Sequence, residues 1–135
     1  MRLSLFVAML AVALLPFEAF GATAQDAARV KKVVKYVGPA REARSWGTVK
    51  AIVWIRTIKA NGKLVSRRIT RVAIVAPEDT PRSEVINDDA RPLLIDETLF
   101  SQSADVELVS GATWTSEAYL ESLEVALQRA HFVKK

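Results

Sequence analysis

Two β-prone runs separated by Asn61-Gly62 constrain the fold of this chain more than any other feature. Thr48 to Ile58 is rich in Val, Ile, Thr and Trp, and it alternates. Val49, Ala51, Val53 and Ile55 share one parity, with Lys50 and Arg56 on the other. Such alternation suits a strand with one buried face, because successive side chains leave a strand on opposite sides. Leu64 to Ala76 has the same character beyond the dipeptide. A two-residue hairpin turn that matches strand twist needs positive φ at both central residues, and Asn-Gly accepts this readily. The sequence therefore predicts one antiparallel hairpin. In the return strand Val65, Arg67, Ile69, Arg71, Ala73 and Val75 share a parity. Ser66, Arg68 and Thr70 precede Val72 and Ile74 on the other, so burial should increase toward Ala76.

Elsewhere the period changes. From Gln25 to Tyr36, Val30, Val33 and Val34 (then Val37) fall at helical spacing among Arg29, Lys31, Lys32 and Lys35, which reads as a short helix or ordered tail. Gly38-Pro39 ends it, and Ala40 to Gly47 reads as a polar loop. Ser83 to Gln102 is helical in pattern, and Pro92 is expected to divide it into two short helices, since an internal proline lacks a donor and crowds the preceding turn. Asp105 to Val109 is short and β-prone. From about Thr115 to His131 the chain shows its best amphipathic helix, with Tyr119, Leu123, Ala126, Leu127 and Ala130 on one stripe. Thr113, Thr115 and Ser116 crowd its start as capping candidates. The expected fold class is α+β: a small antiparallel sheet packed against short helices and a C-terminal amphipathic helix.

The 135 residues suit one domain, preceded by an export signal. Met1-Arg2 gives a small positive region and Leu3 to Phe17 an apolar one too short for a comfortable membrane span. Ala22-Thr23-Ala24 then has the small-residue form of a cleavage site. The reading is a signal peptide over 1–24, a helix or tail over 25–45 and the functional domain over 46–135, in a periplasmic or extracellular protein. An uncleaved N-terminal membrane anchor is the second choice. With no cysteine there is no lipoprotein signal, disulfide, Cys-ligated zinc or cysteine nucleophile. His131 is alone and reads as a helix-end surface residue, so no catalytic set is assembled and no metal cluster is visible. The net charge of +4 is mild, and the cations are not interleaved with exposed aromatics in the sequence pattern, which speaks against nucleic acid.

The chemistry concentrates at Ser110-Gly111-Ala112-Thr113-Trp114-Thr115-Ser116, just ahead of the last helix. Gly111 frees the backbone for a tight conformation and Ala112 keeps the surface low. Hydroxyls then gather where a helix start presents unpaired N–H groups and a partial positive charge, a setting that suits phosphate. On the residues alone, a phosphate cradle and an ordinary helix cap both remain open.

The run from Val106 to Tyr119 resembles the signature of the FMN-binding domain family, Asp-x-x-Ser/Thr-Gly-Ala-Thr followed by Thr-Ser and an amphipathic helix. The hairpin from Trp46 to Ile74 and the segment from Ile86-Asn87 to Ala104 resemble the same family more loosely. This resemblance implies that FMN is esterified through its phosphate to Thr113 by a flavin transferase, with FAD as donor and magnesium present, outside the cytoplasmic membrane. It also implies that Ser110, Gly111 and Ala112 shape the recognition loop and that Thr115 and Ser116 hydrogen-bond the phosphate. Trp114 lies beside the attachment point, and both stacking on the flavin and packing in the core remain open for it. Glu107 stands where the family pattern has Asp, so its carboxylate reaches one methylene farther. The implied role is an electron carrier between redox partner proteins rather than a stand-alone enzyme, with non-covalent binding of FMN or another phosphorylated ligand as the alternative. Trp46 and Trp54 are expected to pack on the sheet, and Arg67, Arg68 and Arg71 to form a solvated strand face.

Overall fold

A computed structural model of the chain describes residues 28–77 and 79–132; the expected export signal and cleavage point lie outside the described residues. Strands β3 (Thr48–Ala60) and β4 (Lys63–Val75) pair antiparallel and close at Ala60 opposite Lys63. Asn61 and Gly62 both take positive φ, 53° and 76°, as the hairpin turn requires. Val49, Ala51, Val53 and Ile55 are buried and their neighbours are not, so the alternation of β3 holds.

The parity of β4 switches partway, with a local cause. Trp54 faces Arg71 but Ile55 faces Ile69, which leaves Thr70 as an extra residue in a bulge. A bulge inserts one residue into one strand and so moves the side chains beyond it to the opposite face. Ile69 is buried on one side of this bulge, Val72 and Ile74 on the other. The change from an exposed to a buried strand is thus a register device.

The N-terminal segment is not helical. It forms strand β1 (Arg29–Val37), antiparallel to the other edge of β3 from Arg29 opposite Ala60 to Val37 opposite Ile52. Closely spaced valines satisfy a helical spacing by accident, whereas β-branched side chains lose rotamer freedom in a helix and pack well on a pleated surface. The β3 edge supplies their backbone partners. The expected polar loop after Gly38 contains the two-residue strand β2 (Arg41–Glu42), which continues the same edge against Thr48 and Val49, and a 3-10 turn over Arg44–Trp46. β3 is therefore the central strand.

Helices α1 (Pro81–Ser101) and α2 (Thr113–Arg129) cover one face of the sheet. α1 starts well: Thr80 and Ser83 cap each other reciprocally, and Pro81 occupies the first turn, where its missing donor costs nothing. It then runs unbroken through Pro92, contrary to the expected division. Pro92 and Asp88, the residue whose carbonyl loses its partner, both lie on the exposed face, where water can serve that oxygen. Leu94 and Ala90 hold the other side of α1 in the core.

The stripe of α2 is buried as the sequence indicates, from Tyr119 through Leu123, Ala126 and Leu127 to Ala130. Each large side chain here contributes about 1.5–3 kcal/mol of burial. Two further contacts fix α2 on the sheet. The Ser122 hydroxyl accepts the Ala51 N–H at 2.9 Å, and Gly38 lets the end of β1 lie against the backbone of Ser122. Thr98 and Tyr119 join the helices through a fully buried 2.6 Å bond. The Thr98 hydroxyl already donates to the Leu94 carbonyl, so the phenol is the donor.

Residues 105–109 form no strand. The outer edge of β4 nearby is closed instead by the Gln102 amide, whose oxygen accepts the Ile69 N–H at 2.7 Å and whose nitrogen donates to the Ile69 carbonyl at 3.0 Å. With that edge taken, the segment crosses irregularly to α2 and tucks Val106 into the core.

Candidate functional site

The site forms where the starts of α1 and α2 converge beside the 3-10 turn. A cavity of about 450 Å³ opens there, walled by Trp46, by Arg82, Ser83, Ile86 and Asn87 of α1, and by Gly111 to Thr115. Its volume falls within the usual range for small-molecule and cofactor sites, and its walls have the usual mixture of aromatic surface and a few polar groups.

The loop entering α2 is built around Gly111. The Ala112 N–H turns back to the Val109 carbonyl at 3.0 Å, and Gly111 sits at φ 82° with open space where a Cβ would lie. Only glycine takes this conformation freely. Ser116 locks the loop from below. It is fully buried, accepts the Val109 N–H at 3.1 Å and donates to the Ala112 carbonyl at 2.8 Å. Its hydroxyl is committed to the loop and lies away from the open cavity.

Ala112 is the N-cap of α2, so none of the three hydroxyl residues expected to cap the helix does so. A helix start leaves its first N–H groups unpaired. Ser116 is the first whose N–H meets a helical carbonyl, that of Ala112. The N–H groups of Thr113, Trp114 and Thr115 have no acceptor among the described residues. They stand at the positive end of the α2 dipole, the backbone arrangement that binds phosphate. Thr113, the first helical residue, is exposed and lines the cavity.

Asn87 braces this arrangement. It is 2 % exposed, donates to the Pro77 carbonyl at 2.7 Å and accepts the Thr115 hydroxyl at 3.0 Å. One amide thus ties the β4–α1 loop, α1 and the first turn of α2 together. The Thr115 hydroxyl is held by this bond, although its residue still lines the cavity.

The aromatic wall is a pair. Trp46 and Trp114 lie with ring centroids 6.3 Å apart at 36°. The Arg44 guanidinium sits 4.8 Å over Trp114, and that of Arg82 is 5.8 Å over Trp46. Trp114 is 38 % exposed, with surface free for a ligand. Trp46 therefore belongs to the cavity rather than packing only on the sheet, and Arg82 brings a cation to it. Trp54 keeps to the sheet, under Arg71 at 4.5 Å.

Of the residues singled out from the sequence, Gly111, Ala112, Thr113, Trp114 and Thr115 come together around the cavity. Glu107 and Ser110 do not. They line a second, more open depression of about 630 Å³ with Leu93, Asp96, Glu97 and Phe100, and the Glu107 N–H donates to Glu97 Oε1 at 3.1 Å. Arg67 lies far from the site, donating to the carbonyls of Ala130 and His131 at the end of α2. Sequence reasoning missed Trp46, Arg82 and the brace at Asn87. Thr80-Pro81-x-Ser83 carried a readable signal for a second helix start, whereas nothing local placed Trp46 opposite Trp114.

A cavity with two indoles, an arginine and three unpaired N–H groups defines a binding domain for a planar aromatic ligand carrying phosphate. The family model for the FMN-binding domain matches residues 46–128, and the chain belongs to that family. No curated protein matches the chain significantly. The residues present fit FMN: the aromatic wall suits an isoalloxazine ring, and the start of α2 suits its phosphate.

Proposed function

We propose that this protein is an exported electron carrier holding FMN as a phosphate ester of Thr113. The observation that carries the reading is the position of Thr113. Thr113 is exposed and begins α2, where its own N–H and those of Trp114 and Thr115 are unpaired, on the wall of the cavity that also holds Trp46 and Trp114. A phosphate ester there would keep its remaining oxygens within reach of the α2 start, and Arg82 would add a cation. Gly111 and Ala112 would leave room for the approach of a flavin transferase. In that attachment Thr113 Oγ would bond to the flavin-side phosphorus of FAD, the P–O–P bridge would break, and AMP would leave with the proton; magnesium would serve the transferase.

Bound FMN supplies one- and two-electron redox chemistry, and the protein supplies position and electrostatics. Trp46, Trp114 and Ile86 would shield part of the ring system from water. The unpaired N–H groups would neutralise the phosphate and hold it. Export is supported by Leu3 to Phe17 and Ala22-Thr23-Ala24, with redox partners at or outside the cytoplasmic membrane. Among the described residues no helix is long and apolar enough to cross a membrane.

Coexpression with a flavin transferase, followed by denaturing electrophoresis, tests the attachment. Fluorescence that stays with the wild-type band and vanishes in Thr113→Ala is the expected result. A wild-type band without fluorescence, while the native protein still retains FMN, would replace the ester with non-covalent binding. Fluorescence kept by Thr113→Ala would refute the residue.

A further inference from the structure

The face of the sheet turned away from the helices has a composition unlike the rest of the molecule. The three long strands together carry eleven Lys or Arg and not one Asp or Glu. The two helices carry eight Asp or Glu against three Arg. The chain is thus divided into a basic sheet and an acidic helical layer, although its net charge is only +4.

Register puts much of the positive charge on the uncovered face. Across the strands, Lys35, Trp54 and Arg71 form one row, Val33, Arg56 and Arg68 the next, and Lys31, Ile58 and Ser66 a third. These residues are exposed or half-buried, whereas the opposite parity of β3 forms the core. Arg56 lies directly opposite Arg68, a like-charge pairing that destabilises a sheet. No ion pair among the described residues engages Lys31, Lys35, Arg56 or Arg68. A face that keeps an opposed arginine pair with no internal carboxylate is suited to an external anion.

We propose that this face docks on an anionic lipid surface. The apolar members of these rows are Trp54, Ile58 and exposed Val33, set between long cationic side chains. Tryptophan favours the headgroup level, and Lys and Arg lay their aliphatic stems on apolar surface while their charges meet lipid phosphates. A single-stranded polynucleotide would call for several stacking aromatics, and these rows offer Trp54 alone, already under Arg71. The flavin cavity opens on the helical side of the sheet, so docking leaves it facing the aqueous phase and a redox partner. The docking itself does not depend on flavin.

Flotation of the full chain with phosphatidylcholine vesicles, with and without phosphatidylglycerol, tests this. Binding to the neutral vesicles, including any through the apolar segment 3–17, sets the baseline, and the anionic increment is the readout. The expected increment disappears at high salt and falls about twenty-five-fold in Arg56→Gln/Arg68→Gln, since each cation near an anionic surface contributes roughly fivefold. The double variant relieves the opposed charges, so its melting temperature should hold or rise. An anionic increment unchanged in that variant overturns the proposal. So does polyglutamate or a single-stranded oligonucleotide that binds the wild type as tightly as the vesicles in the same buffer and loses as much in the variant, because the partner is then an acidic polymer.

Discussion

Replacing Asn87 by alanine removes the one amide that joins three parts of the site. The side chain is 2 % exposed and makes two bonds, to the Pro77 carbonyl at 2.7 Å and from the Thr115 hydroxyl at 3.0 Å. Truncation leaves both partners unpaired in a buried setting, and each such group costs about 1–3 kcal/mol. Water entering from the cavity relieves part of the Thr115 share. The expected loss is therefore about 2–4 kcal/mol, a large fraction of the ~5–15 kcal/mol that holds a domain folded. Urea unfolding of the flavin-free protein, followed by tryptophan fluorescence, measures it. Thr115→Val removes only the second bond and should cost about 1–2 kcal/mol. Because the two side chains touch, the double variant should depart from additivity by at least about 0.5 kcal/mol. Asn87→Asp keeps an acceptor for Thr115 but turns a carboxylate toward the Pro77 carbonyl, and should be no better than alanine. A loss below about 0.5 kcal/mol for Asn87→Ala, the size of an ordinary surface change, would refute the bracing role.

Two other perturbations test the packing behind the site. Burial pushes the Tyr119 phenol from 10.0 up to about 12. Its folded value lies above its unfolded one, so its contribution is present below pH 10 and is lost between pH 10 and about 12, by roughly 2–3 kcal/mol. Tyr119→Phe should show a correspondingly shallower fall in unfolding free energy over that window, and parallel curves would contradict the assignment. Gly38→Ala would drive a methyl group into the Ser122 backbone of α2, only 2.7 Å from its carbonyl carbon. The helix must shift, straining the Ala51–Ser122 bond, and thermal or urea unfolding should register a loss of about 1–3 kcal/mol; an unchanged midpoint would show that α2 is free to move.

The parts of the fold legible in the sequence are those in which local pattern and tertiary contact agree. Asn61-Gly62 allows the positive φ that its turn needs, and the α2 stripe has one period and one buried face. β1 was less legible because valines at Val30, Val33, Val34 and Val37 suit two periods, and only the edge of β3 decides between them. Pro92 looked like a break because its cost depends on whether the orphaned carbonyl meets water, which is a property of the folded surface. In the site, Gly111 to Thr115 are contiguous and share a motif, and so could be read together. Trp46 and Asn87 reach the cavity from far along the chain, through the 3-10 turn and the start of α1. Glu107 and Ser110, though within four residues of Gly111 in sequence, turn to the other depression because the loop reverses at Gly111.

The most direct measurement is peptide mapping by tandem mass spectrometry of protein coexpressed with a flavin transferase. The peptide containing Thr113 should carry the mass of one FMN less one water, with the fragment series locating it on Thr113 and not on Ser110, Thr115 or Ser116. An adduct on any of those neighbours, or a peptide recovered only unmodified from protein made beside an active transferase, would contradict Thr113 as the flavin anchor.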